Sequence, residues 1–302
     1  MHLGNSVICP VTGIPMLAAM GFAAYWAFKK AKNDFTKDKI LPTVALTALV
    51  FGLQMINFAI PQTGSSGHIV GGMLLAAILG PCVGFLAICT ILLVQALFFA
   101  DGGLLALGCN IFNMGFLACF VAYPFIYKPL AQNKKVVLGS ILASVAALQL
   151  GSFAVVIQSY LSGSITNVLS FAGFMQSIHL AIGIVEGIVC AIFVLAAQKT
   201  QLSKTFSYIM GTFSILLAGI ISNYASAKPD GLEWSLLNMS NSFVEQTQGQ
   251  IYAFSEELQA KTSFLINMPN SLANLIGLCM IIMISAVLFN AISKKFTPSD
   301  EN

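Results

Sequence analysis

The chain's whole supply of imidazole is three histidines, His2, His68 and His179. His2 adjoins the terminal amine of Met1, so three nitrogens can close on one metal ion: that amine, the deprotonated backbone amide of His2 and the His2 imidazole Nδ1. They form a five-membered and a six-membered chelate ring and lie nearly in one plane. His68, which ends the loop string Gly64-Ser65-Ser66-Gly67, can supply a fourth nitrogen and complete a square. Square nitrogen ligation suits Ni²⁺ or Cu²⁺, low-spin Co²⁺ less commonly, and disfavours tetrahedral Zn²⁺. Spacing alone also allows a plainer pair of roles, a frayed terminal His2 and a His68 at a helix start near lipid headgroups.

The elements that must position these residues are read from composition. Of 302 residues, 57% are hydrophobic and 8% charged, with a mean hydropathy of +0.86, where a soluble domain carries roughly 25% charged residues. A soluble enzyme is excluded, and an all-α membrane protein is predicted. Apolar runs near 10–28, 40–60, 69–80, 82–99, 104–127, 136–158, 172–198, 205–222 and 273–293 predict about nine transmembrane helices. Gly80-Pro81 leaves open whether 69–99 is one kinked helix or two short ones. Seven cysteines are scattered through apolar segments without metal or redox spacing and read as small buried hydrophobes.

Charge settles the count. All 14 basic residues are lysines, and their dispersal offers no nucleic-acid patch. Twelve fall in clusters: Lys29, Lys30, Lys32, Lys37, Lys39; Lys128, Lys134, Lys135; Lys199, Lys204; Lys294, Lys295. If lysines mark the cytoplasmic side, two crossings between His68 and Asp101 put every cluster inside. The N-terminus, His68, Asp101 and the polar stretch 223–272 are then outside, and the C-terminus is inside. The chain divides into a seven-span module, 1–200, and a two-span module, 201–302, whose external segment needs its anchors or a partner for stability. The stretch before the first apolar run lacks the basic region of a secretory signal, so Met1 is expected to be the mature N-terminus. Small residues at four-residue spacing (Ala19, Ala23, Ala27; Gly72, Ala76, Gly80) permit close helix packing. His179 and Glu186 share one helix face. They are placed mid-span to inner, far from the outer metal residues, as a structural or coupling pair.

Several ordered motifs carry a resemblance. They are Met1-His2-Leu3-Gly4-Asn5; Asn57-Phe58-x-x-Pro61-x-Thr63-Gly64-x-Ser66-Gly67-His68-x-x-Gly71-Gly72; Leu79-Gly80-Pro81; Val94 to Gly103 with Asn110-x-x-Asn113; and His179-x-x-Ile182-Gly183-x-x-Glu186-Gly187. Together they resemble the CbiM/NikM-type substrate-binding subunits of energy-coupling-factor transporters for cobalt and nickel. Lys228-Pro229-Asp230-Gly231-Leu232-Glu233 resembles the PDGLE motif of the small two-span partner subunit, here fused as in the NikMN arrangement. The resemblance implies a substrate-specific component of an ATP-driven uptake transporter in a prokaryotic cell membrane. It implies Ni²⁺ or Co²⁺ as substrate, no covalent cofactor, and Met1, His2 and His68 as ligands. Asn5 departs from the aspartate common near the start in relatives. Asn57, Ser66, Gln95, Asp101, Asn110 and Asn113 are candidates to support or gate the site, and Asp230 and Glu233 to give the external segment an accessory role. No Gly-x-x-x-x-Gly-Lys-Ser/Thr loop occurs, so the chain is not itself an ATPase of that kind. The resemblance assigns ATP hydrolysis to separate subunits acting through a transmembrane coupling subunit.

Two other classes remain open on the residues alone. Gly64-Ser65-Ser66-Gly67 fits the Gly-x-Ser-Gly of rhomboid-type intramembrane serine proteases, with Ser66 as nucleophile and His179 as base, which requires the two within hydrogen-bond reach. Intramembrane Asp, Glu and His are also compatible with a channel or secondary carrier for ions.

Overall fold

The computed structural model describes residues 1–239 and 241–294; Lys295, counted above with the inner lysines, lies outside the described residues. Each of the nine apolar runs is helical. Helix α1 is Pro10–Asp34 and α2 Ile40–Gln54, followed by a two-residue antiparallel pair, β1 Phe58–Ala59 with β2 Ser66–Gly67. Next come α3 Gly72–Leu79 and α4 Pro81–Val94, the latter extended by a π turn, Gln95–Phe99. Helix α5, Leu107–Ile111, continues through a π segment, Phe112–Tyr127, into α6, Lys128–Gln132. Then follow α7 Val136–Leu161, α8 Val168–Thr200, α9 Lys204–Gly219, α10 Gly231–Leu237, α11 Gln250–Thr262 and α12 Asn270–Ser293.

Six of these stretches are long and apolar enough to cross a bilayer, while α2 and α9 have 15 and 16 residues and α3 only 8. The break expected at Gly80-Pro81 is present: Gly80 sits at φ 84°, outside the helical region, and Pro81 opens α4 where a missing N–H costs nothing. At 1.5 Å per residue, α3 covers only about 12 Å, and it is preceded by a buried strand-like stretch from Ser65 to Gly71.

Such backbone inside a membrane protein must have its polar groups satisfied, and two buried side chains do this. The Glu186 carboxylate accepts the Val70 N–H (2.8 Å) and the Gly71 N–H (3.1 Å), and the Gln54 side chain donates to the Val70 carbonyl (2.6 Å). The stretch that follows His68 is therefore held from two sides, by α8 and by α2.

The core gathers Phe51, Phe85 and Phe289, all fully buried. Helices α9 and α12 both pack on α2, which joins the last two apolar helices to the first block. Of the small-residue stripes, Gly72, Ala76 and Ala27 are buried within the bundle, whereas Ala19 stays exposed beside Val11 and Phe22 on the outer face of α1.

Candidate metal centre

The N-terminal segment is threaded into the bundle by side-chain amides. Asn110 accepts the Leu3 N–H (2.8 Å) and donates to the Leu3 carbonyl (3.1 Å), holding both backbone polar groups of that residue. Asn5 accepts the Leu105 N–H (2.8 Å) and donates to Gln259 (2.8 Å) and Glu256 (2.6 Å). The amide thus fills a hydrogen-bonding role that a carboxylate facing Glu256 would not. Met1 is left 3% exposed.

This threading brings His2 against His68, with ring centroids 5.1 Å apart and planes 25° from parallel. His68 Nδ1 lies 3.3 Å from the Ile69 carbonyl oxygen, which can only accept. The ring proton therefore belongs on Nδ1, and Nε2 is the bare nitrogen. His2 Nε2 lies 3.3 Å from Gln95 Oε1, so an Nε2–H tautomer leaves Nδ1 bare, as a chelate with the terminal amine requires. Burial, and next the neighbouring terminal ammonium, push the His2 imidazole down to about 3. The Asp101 carboxylate is 3.5 Å from His2 Nδ1. Asn113 is one step removed, in a reciprocal amide pair with Gln158 (2.8 and 3.0 Å).

The segment between α9 and α12 closes over this cluster. Asp230 caps α10 in a capping box: its Oδ1 accepts the Leu232 and Glu233 N–H groups (both 2.8 Å), while Glu233 accepts the Asp230 N–H (3.1 Å). Asp230 Oδ2 remains free to pair with the Met1 ammonium at 3.3 Å. Burial alone would raise the Asp230 carboxyl, yet the terminal ammonium holds it well below the usual carboxylate range. The Ser66 N–H donates to the Pro229 carbonyl (2.8 Å), and Ser66 Oγ–H points at the carbonyl oxygens of Lys228 (2.7 Å) and Pro229 (3.2 Å). Asn57 joins the same seam through its carbonyl, which accepts the Ser226 N–H (2.8 Å).

One expectation is corrected and one alternative is set aside. His179 is not remote: with Met1, Gly67, His68, Asp230 and Gly231 it lines one small cavity. The reason is that α8 runs 33 residues from Val168, so His179 lies only about 17 Å along it, while the metal loop and N-terminus sink to meet it. Glu186, one face with His179, likewise reaches the metal loop. The serine protease arrangement is absent. The Ser66 hydroxyl is engaged by the Lys228 and Pro229 carbonyls, and His179 bonds through Nδ1 to the Met175 carbonyl (2.7 Å), its Nε2 being without a partner.

Among the described residues no group of three or more His, Cys, Asp or Glu side chains is gathered to hold a metal. The nitrogen set needs just two side chains, the rest being backbone. Sequence reasoning passed over Gln54, Gln158 and Gln259, although a polar amide inside or beside an apolar run is the signal that singled out Gln95 and Asn110. Gln259 bridges the Ala96 (2.8 Å) and Gly102 (2.7 Å) carbonyls to Asn5.

The family description "Cobalt uptake substrate-specific transmembrane region" (CbiM) matches residues 2–203, and "PDGLE domain" matches residues 204–294. The chain is similar to a protein of Archaeoglobus fulgidus named as a fused nickel transport protein, NikMN, with 30% identity over 196 residues, 62% of this chain and 54% of that one. With a protein of Lactiplantibacillus plantarum named as a fused nickel transport protein, LarMN, it shares 39% identity over 125 residues, 41% of this chain and 38% of that one. The matched stretch thus spans about half the length of these relatives or less. A crystal structure described as a transition metal transporter superposes with a TM-score of 0.59 at 32% identity, covering 71% of this chain and 98% of that one. The match of residues 2–203 extends over most of the chain, and by it this multi-pass, all-α membrane protein belongs to the CbiM family, with a PDGLE domain fused behind that region.

Proposed function

We propose that the chain is the substrate-capturing component of an ATP-driven nickel or cobalt uptake transporter. It takes one divalent ion into a square of four nitrogens: the Met1 amine, the His2 amide, His2 Nδ1 and His68 Nε2. The supporting observation is the convergence of the Met1 amine and the stacked His2 and His68 rings under Asp230. Two modules carry the work: 1–200 holds every ligand, and 201–302 folds its external segment over the ligands. The metal centre faces outward and the lysine-rich end inward, so the N-terminus is outside and the C-terminus inside. ATP hydrolysis belongs to separate subunits acting through a transmembrane coupling subunit. Asp230 acts as a placeholder: its carboxylate neutralises the ammonium until the amine loses its proton and turns to the metal. The names of the similar proteins, fused nickel transport proteins among them, support nickel as one substrate.

The test is optical and magnetic spectroscopy of Ni²⁺ added to the purified chain with Met1 confirmed as first residue by mass spectrometry. A yellow, diamagnetic species at one ion per chain is expected. A paramagnetic, six-coordinate spectrum would refute the nitrogen square.

A further inference from the structure

The metal centre contains a nitrogen that the square does not use. His179 is 1% exposed. Its Nδ1 lies 2.7 Å from the Met175 carbonyl oxygen. A carbonyl only accepts, so the proton sits on Nδ1 and Nε2 carries a bare lone pair. A histidine that gives one ring N–H to a backbone carbonyl and keeps its other nitrogen bare has the tautomer of a metal ligand. His68, hydrogen-bonded to Ile69, is prepared in the same way. His179 Nε2 has no hydrogen-bond partner, which is unusual for a buried polar atom. The ring borders the cavity that Met1, His68 and Asp230 also line, whose room of about 10 Å³ is that of one small ligand. Gly231 keeps this side open: a Cβ there would stand 3.1 Å from His179 Cε1 and 3.4 Å from Nε2.

We propose that His179 Nε2 is the apical donor of the loaded centre, contacting the metal along the axis perpendicular to the nitrogen plane, and that it sets the preference between cobalt and nickel. The proposal rests on the four-nitrogen reading above. Square-planar Ni²⁺ has a filled orbital along that axis and gains nothing from a fifth nitrogen. Low-spin Co²⁺ has a single electron there and binds one. A bare nitrogen fixed on α8 therefore stabilises bound cobalt and leaves nickel unaffected. A cavity with no such donor would favour nickel alone.

The test uses the full chain loaded anaerobically with Co²⁺ alone or Ni²⁺ alone. Electron paramagnetic resonance of the wild-type cobalt form should show a three-line splitting from one axial nitrogen, absent from His179→Ala and His179→Gln. Both variants should bind Co²⁺ at least about tenfold more weakly while keeping wild-type nickel affinity and the yellow nickel spectrum, which also reports an intact fold. A wild-type cobalt signal without the splitting, an unchanged cobalt affinity, or an equal loss for both metals would each overturn the proposal. The plane itself is checked apart from His179 by His68→Ala with Ni²⁺. Nickel binding that survives there refutes the four-nitrogen reading, whatever the cobalt signal shows.

Discussion

Each nitrogen of the proposed square must either hold a lone pair already or lose a proton when the metal enters, so protonation decides how binding responds to pH. The His2 imidazole, held down to about 3 by burial and the adjacent ammonium, is already neutral across pH 5–8 and releases nothing. The Met1 ammonium and the His2 amide each give up one proton. Calorimetry in buffers of different ionisation enthalpy should therefore count about two protons released per Ni²⁺; three would mean that one of the two imidazoles, His2 or His68, is charged in the metal-free protein. His2→Ala and His68→Ala should each abolish measurable nickel capture, whereas Ser66→Ala, which removes hydrogen bonds to Lys228 and Pro229 but no ligand, should retain it. Capture retained by His68→Ala would show that another group supplies the fourth nitrogen. His2 and His68 were legible in the sequence because residue type and adjacency to an amine or a Gly-Ser string carry the chemistry. His179 was misplaced because its depth depends on where α8 begins, and hydropathy blurs a helix start by several residues.

Among the elements, the passage from β2 to α3 has the strictest requirements. Its short helix leaves peptide groups near His68 without helical partners, and Glu186 and Gln54 on two other helices provide them. Glu186→Leu would strand two buried N–H groups at about 1–3 kcal/mol each, loosening the segment that aims His68. Nickel affinity should fall by about tenfold or more while the nickel species, once formed, stays yellow; unchanged affinity in titration would mean that Gln54 and the Lys228-Pro229 seam suffice. The apolar runs made the helices legible, including the break at Gly80-Pro81. The partner of Glu186 was not, because a backbone N–H leaves no trace in residue identity. The N-terminal segment behaves as an element of the same kind, clamped by Asn110 and Asn5 with Met1 buried. One extra residue ahead of Met1 would convert the chelating amine into an amide and demand space that the buried end lacks. Titration of tagged and untagged protein should show nickel binding lost on extension, and equal affinities would overturn the chelate.

Across the whole molecule the two ends differ in kind. One gathers Met1, His2, His68, Asp101 and Asp230. The other gathers Lys30, Asp34 and Lys39 around the Gly80-Pro81 break, beside Leu202. The described residues between α9 and α12 that bond to the rest of the chain do so at the first end. The segment pairs Ser66 with Pro229 and Asp230 with Met1, and its later half hands Gln246 to the Ser6 carbonyl (2.7 Å) and Gln259 to Asn5. Every nitrogen of the proposed square nevertheless lies within residues 1–68, and the carboxylates of the segment are hard, weak ligands beside four nitrogens. The segment's work is therefore to hold the N-terminus in its channel and to cover the site, which governs how fast an ion enters and whether it is kept until transport. Removing 223–272 and joining α9 directly to α12 should lower uptake strongly. Equilibrium nickel affinity should stay within about tenfold, a difference of about 1.4 kcal/mol, because Asn110 and Gly103 still hold Leu3 (Gly103 N–H to Leu3 carbonyl 2.8 Å). Stopped-flow loading should become faster in both directions once Asp230 no longer competes for the amine. Outright loss of nickel binding in the shortened chain would place a ligand in the removed segment and overturn the assignment of all four nitrogens to Met1, His2 and His68.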